Sequence, residues 1–333
     1  MVSYKEIRAS NALINDATST RVAVFVGGTS GIGKITIEAL VATGTSIRIY
    51  LIGRKSSQQR METFIQKMQT INSKAEIIWV EGEVSLLAET QRLCEIIKSK
   101  EQYIDLLFLT AGYAPFNGRR ETPEGIEICQ SLSYYSRMLF ILHLLPLLNK
   151  GEAPRVVSVF AGGMVERLGI NLDDIDLKKP GNFNVMKAHP QYANMNTIFM
   201  DALATTNPDV TFIHSCPGWV DTGNVRRGLD PYSILAWIIW LFLEPLIHIF
   251  SFSDEESGQR YLFQSTSAAF GGRGIQWKGK IGVNTQGKQE NGLFLVGSKC
   301  DCTPNSKDVS ALREKAQMKI VDHTKQVLGP YLG

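Results

Sequence analysis

The chain has 333 residues, of which 44% are hydrophobic and 20% charged, a composition typical of a folded globular protein. Its net charge is only +3 at pH 7 with both signs interspersed, which argues against a protein that binds nucleic acid through a basic surface. A chain of this length can bury a substantial core, enough for one large α/β domain or two small ones.

The N-terminal twenty residues contain no long apolar stretch, which argues against a secretory signal peptide. The cysteines are odd in number and scattered, a pattern typical of free thiols in a reducing compartment. We therefore expect a cytoplasmic protein. The segment "CDC" (300–302) has no second Cys/His cluster to complete a metal site, so no metal is predicted and surface thiols are expected there.

Six apolar, strand-like segments follow one another from Arg21 onward, separated by helix-length segments. The apolar segments are RVAVFVGG, SIRIYLIG, AEIIWVEG, YIDLLFLTAG, RVVSVFAGG and DVTFIHSCPG. The helical segments include 56–71, 85–98 and 122–148. Strands that are apolar on both faces and alternate with helices predict a Rossmann-like, doubly wound parallel sheet covered by helices on both sides.

No linker divides the chain, so residues 1–333 are predicted to form one domain. Its core is expected at about 20–300, and a helix at about 308–328 is expected to close it. A long polar connection follows the fifth strand, and a very hydrophobic segment, 231–252, follows the sixth. Ser253 and Glu256 form a capping-box pattern at the start of the next helix.

A glycine-rich segment, "VFVGGTSGIGK", follows the first strand and opens a helix. A tight turn of this kind needs residues without a Cβ, and the free N–H groups at a helix N-terminus attract a phosphate. In this strand–turn–helix context the segment predicts a dinucleotide-binding loop. The loop residues expected to contact the cofactor are Gly27, Thr29, Ser30, Gly31, Ile32 and Gly33.

The second strand ends in "LIGRKS", with Arg54 where NAD-binding proteins place an acidic residue for the ribose hydroxyl. An arginine at this point suits a 2′-phosphate. Lys34 and Lys55 are nearby candidates to assist it. The expected cofactor is therefore NADP(H).

The spacing G-x-x-x-G-x-G resembles that of the short-chain dehydrogenase/reductase family, and further motifs agree in order over about residues 21–267. "LTAG" (109–112) resembles the family's N-N-A-G element, "EGEVS" its acidic element, and "CPGWVDT" (216–222) its P-G-x-V-x-T element. The long segments 122–148 and 189–223 are most similar to fungal members linked to secondary metabolism. The resemblance implies further cofactor contacts by Glu83, Ala111, Gly112, Pro217, Gly218, Val220 and Thr222.

The family's catalytic tetrad of Asn, Ser, Tyr and Lys is only partly present. Its four positions fall on Ser133, Ala161, Tyr192 and Asn196. In the family's mechanism the lysine lowers the pKa of the tyrosine, which then exchanges a proton with the substrate. A neutral asparagine cannot do this, and alanine has no hydroxyl to bind the substrate oxygen. Carbonyl reduction by a protonated Tyr192 survives this loss better than alcohol oxidation does.

Other sets of catalytic residues also remain open, in which His189, Ser133 or Tyr135 takes part in the reaction. The structural alternatives also remain: a packing role for Tyr192, a loop role for His189, and backbone bonding by Ser133. Asn196 is also able to orient Tyr192 or a ribose hydroxyl without supplying charge.

Segment 231–252 is long enough for a membrane span, but Glu244 and Pro245 near its middle and the lack of a basic flank argue against one. In the resembling family this region forms a flap over the substrate. A substrate flap or pocket wall, a peripheral membrane contact and a true span all remain open. Family members often form homodimers, so the resemblance implies a homodimer as one expected state.

Three functions are therefore compatible with the sequence. The first is an NADP(H)-dependent reductase of a hydrophobic small molecule, of polyketide or terpenoid type, in a biosynthetic pathway. The second is a non-redox isomerase, dehydratase or cyclase on the same scaffold. The third is a non-catalytic protein that binds a cofactor or a partner, because fold alone does not decide function.

Overall fold

The computed structural model describes residues 2–116, 118–218, 251–302 and 306–333. Seven parallel strands form one sheet in the order β3-β2-β1-β4-β5-β6-β7. The strands are β1 Val22–Val26, β2 Ile47–Gly53, β3 Ala75–Glu81, β4 Leu106–Leu109, β5 Arg155–Val159, β6 Thr211–Ser215 and β7 Leu293–Val296. This order confirms the predicted doubly wound fold, and its direction reverses between β1 and β4, where such sheets bind ligands.

Helices cover both faces of the sheet. They are α1 Tyr4–Asn11, α2 Gly31–Val41, α3 Gln58–Ile71, α4 Leu87–Lys98, α5 (Ile128–Gln130, Ser131–Tyr135 and Ser136–Leu148 in succession), α6 Val185–Thr206, α7 Asp254–Thr266 and α8 Ser306–Leu328. Along β1, Val22 and Val24 belong to one buried cluster and Ala23 and Phe25 to another. Since side chains alternate across a strand, the sheet separates two apolar cores. Among the residues placed in the structure, no helix is long and apolar enough to span a bilayer.

Two elements were not predicted, and one expectation was wrong. β7 has only four residues, and α1 is a short helix that begins at a capping box formed by Ser3 and Glu6. The five cysteines are all unpaired, but Cys300 is buried against α7 rather than exposed at the surface. Ser253 caps α7 as predicted, by accepting the backbone N–H of Glu256. The apolar segment 231–252 lies outside the described residues except for its last two positions.

The long polar connection between β5 and α6 is held by the amide side chains of α6. Gln191 accepts the N–H of Asn171 at 2.8 Å and donates to its carbonyl at 3.2 Å. Asn194 donates to the carbonyls of Val165 and Gly169 at 3.0 and 2.7 Å. These bonds fix the connection against the helix that carries Tyr192, so the segment is an ordered wall rather than a simple loop.

Candidate active site

A cleft of about 300 Å³ lies at the carboxyl ends of β1 to β6. Of the predicted cofactor residues, those that line it are Gly27, Thr29, Ser30, Gly31, Ile32, Arg54, Glu83, Ala111, Gly112 and Pro217. Gly33 and Gly218 are placed in the structure but do not line the cleft. Val220 and Thr222 lie outside the described residues.

The glycine loop packs so closely on the segment after β4 that side chains are excluded. Gly27 has φ +101°, and a Cβ there would lie 2.5 Å from the backbone nitrogen of Ala111. A Cβ on Gly33 would lie 2.6 Å from the carbonyl oxygen of Gly27. Such distances are shorter than van der Waals contact, so only glycine fits. The N-terminus of α2 consequently opens onto the cleft with its backbone N–H groups.

Two arginines lie near the glycine loop. Arg54 lines the cleft directly after β2. Arg60 of α3 donates to the carbonyl oxygen of Thr29 at 3.3 Å, a contact that the sequence did not predict. Lys34 instead forms an ion pair with Glu38 at 2.9 Å and is not one of the cleft residues. Arg54 is therefore the cleft-lining cation at this end, and Arg60 contacts the glycine loop beside it.

Tyr192 lines the other end of the cleft, and its hydroxyl donates to the carboxylate of Glu127 at 3.1 Å. Both side chains are 1% exposed. Burial and the neighbouring carboxylate raise the pKa of Tyr192. Burial also raises the pKa of Glu127, which accepts the N–H of Gln130 at the start of α5. In this arrangement Tyr192 keeps its proton and is unsuited to act as a base.

Asn196 lies beneath the cleft with no exposed surface. Its Nδ2 donates to the carbonyl oxygens of Ser133 at 2.7 Å and Tyr192 at 2.8 Å. Its Oδ1 accepts the hydroxyl of Ser158 at 3.3 Å. Asn196, which the sequence predicts at the family's lysine position, is thus a neutral cross-link between α6, α5 and β5.

Ser133 lines the cleft and belongs to a π-helical turn, Ser131–Tyr135. The N–H of Ser136 donates to Ser131, five residues earlier. In this wide turn the carbonyl of Leu132 accepts a hydrogen bond from Nε of Arg137 at 3.2 Å, and the carbonyl of Ser133 accepts one from Nδ2 of Asn196. Turns of this type occur frequently at functional sites.

Arg137 is a cleft residue that the sequence analysis missed. It is 2% exposed and donates to Ser158 Oγ and Val159 O at 2.9 Å each and to Ala111 O at 2.7 Å. Burial lowers the pKa of Arg137 to about 9, so the guanidinium is charged at neutral pH. The available signal was an arginine inside the apolar helical segment "SRMLFIL".

Ala161, which the sequence predicts at the family's serine position, has no hydroxyl. Ala161 is 2% exposed, and its N–H donates to Nε2 of His214 at 3.4 Å. Burial, reinforced by Arg137, lowers the pKa of His214 to about 3, so the imidazole is neutral. Phe160 lines the cleft instead and packs against the ring of His189 at 4.5 Å. Burial also lowers the pKa of His189.

Tyr135, which the sequence left open as a site residue, points elsewhere. Its hydroxyl donates to Asp176 at 2.6 Å and bonds His323 of α8 at 2.9 Å. Tyr135 and Asp176 line a separate cavity of about 290 Å³. Tyr135 therefore does not join the cleft that contains Tyr192.

Comparison with known proteins agrees with this geometry. The family model described as short chain dehydrogenase matches residues 21–166. The chain is 35% identical to Oxidoreductase AN1596 of Emericella nidulans over 98% of both proteins. It is 34% identical to Oxidoreductase andH of Emericella variicolor over 89% of this chain and 87% of that protein. It is also 27% identical to the short-chain dehydrogenase/reductase SAT2 of Stachybotrys chartarum, covering 98% and 97%.

Solved structures show the same fold at low sequence identity. NADPH-bound carbonyl reductase from chicken fatty liver superposes with a TM-score of 0.53 at 14% identity, covering 86% of this chain and 99% of that one. The RhlG/NADP active-site complex of Pseudomonas aeruginosa gives a TM-score of 0.51 at 16% identity, covering 74% and 90%.

Proposed function

Because the chain belongs to the short-chain dehydrogenase/reductase family of oxidoreductases, we propose that it is an NADP(H)-dependent carbonyl reductase of a hydrophobic small molecule. The observation that carries the proposal is the single cleft that contains the glycine loop, Arg54 and a protonated Tyr192. The whole chain is proposed to work as one domain. Its terminal helices support this, since Ile7 of α1 and Ile320 of α8 belong to the cores on the two faces of the sheet.

The residues present fit the dinucleotide. The glycine loop leaves no room for a Cβ at Gly27 and exposes the N-terminus of α2. A helix N-terminus suits the pyrophosphate. Arg54 suits the 2′-phosphate that distinguishes NADP from NAD, and Glu83 lines the cleft where adenine would lie. When bound, NADPH supplies the hydride.

The protonation state of Tyr192 supports reduction rather than oxidation. Alcohol oxidation needs a tyrosinate base, and burial beside Glu127 opposes its formation. Carbonyl reduction needs a proton donor, and Tyr192 holds one. Once Glu127 is itself protonated, its O–H is able to bond Tyr192 and leave the phenolic hydrogen for the substrate oxygen. Ser133 is the second hydroxyl of this part of the cleft, and Asn196 positions both residues through their carbonyls.

The substrate end of the cleft has apolar walls. Its lining includes Tyr113, Pro115, Leu132 and Phe160. Burial of such surface contributes about 25 cal/mol per Å², which favours an apolar substrate. The similarity to fungal oxidoreductases supports a biosynthetic role with a polyketide- or terpenoid-type substrate.

One observation favours a second candidate, a non-redox isomerase, dehydratase or cyclase on the same scaffold. Three of the four tetrad positions carry other residues, and Tyr192 is bonded to Glu127. A cleft that only orients a reactive substrate would need no tyrosinate, since proximity supplies much of the rate.

A fluorescence titration with NADPH and NADH tests the proposal. We expect NADPH to bind more tightly, and Arg54→Ala to lower its affinity roughly 10- to 100-fold while leaving NADH unchanged, since a charge-assisted bond contributes about 1.5–3 kcal/mol. Arg92→Ala is the matched control, because Arg92 contacts Glu89 and Glu81 away from the cleft. Binding of NADPH would then justify a screen of carbonyl compounds for NADPH consumption. Failure to bind either nucleotide would overturn the reductase.

A further inference from the structure

Arg137 is a buried cation without a buried counter-charge. Its acceptors, described above, are three backbone carbonyls and the hydroxyl of Ser158, all of them neutral. Among the described residues no carboxylate pairs with it. Taking a charge out of water without an opposite charge is costly, and carbonyl dipoles compensate only part of that cost.

A second buried arginine in this protein is also bonded to backbone carbonyls rather than to a carboxylate. Arg155 at the start of β5 is also fully buried, and it donates to the carbonyls of Gln264, Ser267 and Arg273 at 3.3, 2.6 and 2.6 Å. Arg155 does not line the cleft, whereas Arg137 does. The difference between the two arginines is therefore access to a ligand.

The guanidinium of Arg137 reaches the cleft beside Gly112. A Cβ on Gly112 would lie 3.6 Å from Nη2 of Arg137 and 3.2 Å from Oγ of Ser133. Because Gly112 has no side chain, both donors border the same space. The contacts described above use four of the five N–H groups of Arg137, and within the described part of the chain the fifth, on Nη2, has no acceptor.

The surrounding wall is flat, aromatic and uncharged. The Phe160 ring lies 5.5 Å from the guanidinium carbon of Arg137 and packs on His189, whose pKa is lowered by burial. A planar apolar group lying along this wall would place an anionic substituent within reach of the guanidinium. A guanidinium suits such an oxygen well, because its N–H groups form a planar fork.

We propose that Arg137 and Ser133 form a subsite for an anionic oxygen, a carboxylate or an enolate, on a planar apolar substrate. The inference rests on the proposed function for the reaction, and it narrows the substrate to acidic compounds. The bound anion supplies the counter-charge that the protein lacks at this position, so binding is favoured by both the ion pair and the aromatic wall.

Isothermal titration calorimetry of the full chain at pH 7 tests the subsite with pairs of equal shape. Benzoate and benzamide probe a carboxylate, and 4-hydroxycoumarin and coumarin probe an acidic enol. We expect the anion of at least one pair to bind tenfold or more tightly than its neutral partner, and the pair that shows this identifies the oxygen. Arg137→Met should abolish the preference, Arg155→Met should retain it, and Arg137→Lys should keep part of it because the charge remains.

Equal binding of charged and neutral probes to the wild-type chain would overturn the subsite. So would an equal loss of the preference in Arg155→Met, which would indicate a structural effect. Displacement of the probe by saturating NADPH would also overturn it, because the counter-ion would then be the cofactor. Circular dichroism checks that each variant is folded. If Arg137→Met fails to fold, the test depends on whether the wild-type chain prefers the anionic probe and whether Arg137→Lys keeps part of that preference. The NADPH titration separately tests the proposed function.

Discussion

The cleft has two parts that differ in how their functional groups are used. In the cofactor half, residues 27–33 and Arg54 present backbone N–H groups and a guanidinium to the cleft. In the half that contains Tyr192, called the catalytic half here, the polar groups bond mainly to the protein itself. Tyr192 donates to Glu127, and Asn196 is buried beneath the site.

This difference follows from what each half requires. Phosphate binding depends on a backbone shape that glycine permits, and the constraint at Gly27 is purely geometric. Proton transfer depends on the electrostatics of a few side chains, and a change at one position alters the pKa of its neighbour. The shape of the cofactor half is therefore set by close backbone packing, while the catalytic half depends on the charge arrangement around Glu127 and Arg137.

The largest effect is expected when a side chain is added to the glycine loop of the cofactor half. Gly27→Ala should weaken NADPH binding at least 100-fold, about 2.7 kcal/mol, because the new Cβ would lie 2.5 Å from the backbone of Ala111. A fluorescence titration measures this affinity. Gly44→Ala is the control, since Gly44 also has a positive φ, +71°, but has no atom within 4 Å of the added Cβ. Equal effects of the two variants would show that backbone strain, not close packing, shapes the loop.

An intermediate effect is expected when Asn196, at the predicted lysine position, is replaced by lysine. Asn196→Lys removes buried hydrogen bonds and places a second cation near Arg137, to which it is linked through Ser158. Two like charges roughly 8 Å apart repel by about 2 kcal/mol at an effective dielectric constant of 20. We expect urea unfolding to show that Asn196→Lys loses about 2 kcal/mol more unfolding free energy than the control variant does. We expect no gain in NADPH-dependent reduction.

The control for that variant is Asn72→Lys, at a position between α3 and β3 that does not line the cleft. Asn72 is also buried and donates to two carbonyls, those of Val41 and Thr45 at 3.2 and 2.8 Å. The hydrogen bonds described for its side chain go to backbone groups and connect it to no arginine. Similar stability of the two variants, together with faster reduction by Asn196→Lys, would contradict the charge arrangement inferred for the catalytic half.

The smallest effect concerns the pH dependence of reduction. As pH rises, Glu127 ionises and holds the proton of Tyr192, so wild-type kcat for the carbonyl identified in the screen should fall. Glu127→Gln stays neutral and should retain about tenfold more activity one pH unit above the pKa of Glu127. Glu166→Gln is the control, because Glu166 is another buried carboxyl whose pKa is raised by burial but which does not contact Tyr192.

The same pair of variants has a stability readout. A carboxyl whose folded-state pKa is raised stabilises the fold fully below its unfolded pKa, about 4.3, and that contribution is lost as pH rises through the folded value. Each glutamine variant should therefore gain unfolding free energy relative to wild type over this window. A rate profile that shifts in Glu166→Gln as well would show that Tyr192 is not the group that responds.

The sheet was predictable because periodicity and glycine spacing are local properties of the sequence. β7 was missed because four apolar residues flanked by polar ones do not differ from a buried loop. Arg137 and Glu127 were missed for another reason. In sequence, Arg137 lies within an apolar helix and Glu127 precedes it as an ordinary acidic residue. Only packing brings Arg137 to the cleft and Glu127 to the hydroxyl of Tyr192. Charge arrangements formed between distant segments leave no periodic pattern.

The wide turn in α5 couples two buried side chains through neighbouring backbone carbonyls. Two of its carbonyls, those of Leu132 and Ser133, accept the side chains of Arg137 and Asn196 from different parts of the sequence. Replacing either donor leaves a buried acceptor without its partner, and the two side chains also share Ser158 as a hydrogen-bond partner. The energetic effects of changes at the two positions are therefore expected to be non-additive, so that a change at one alters the tolerance for a change at the other.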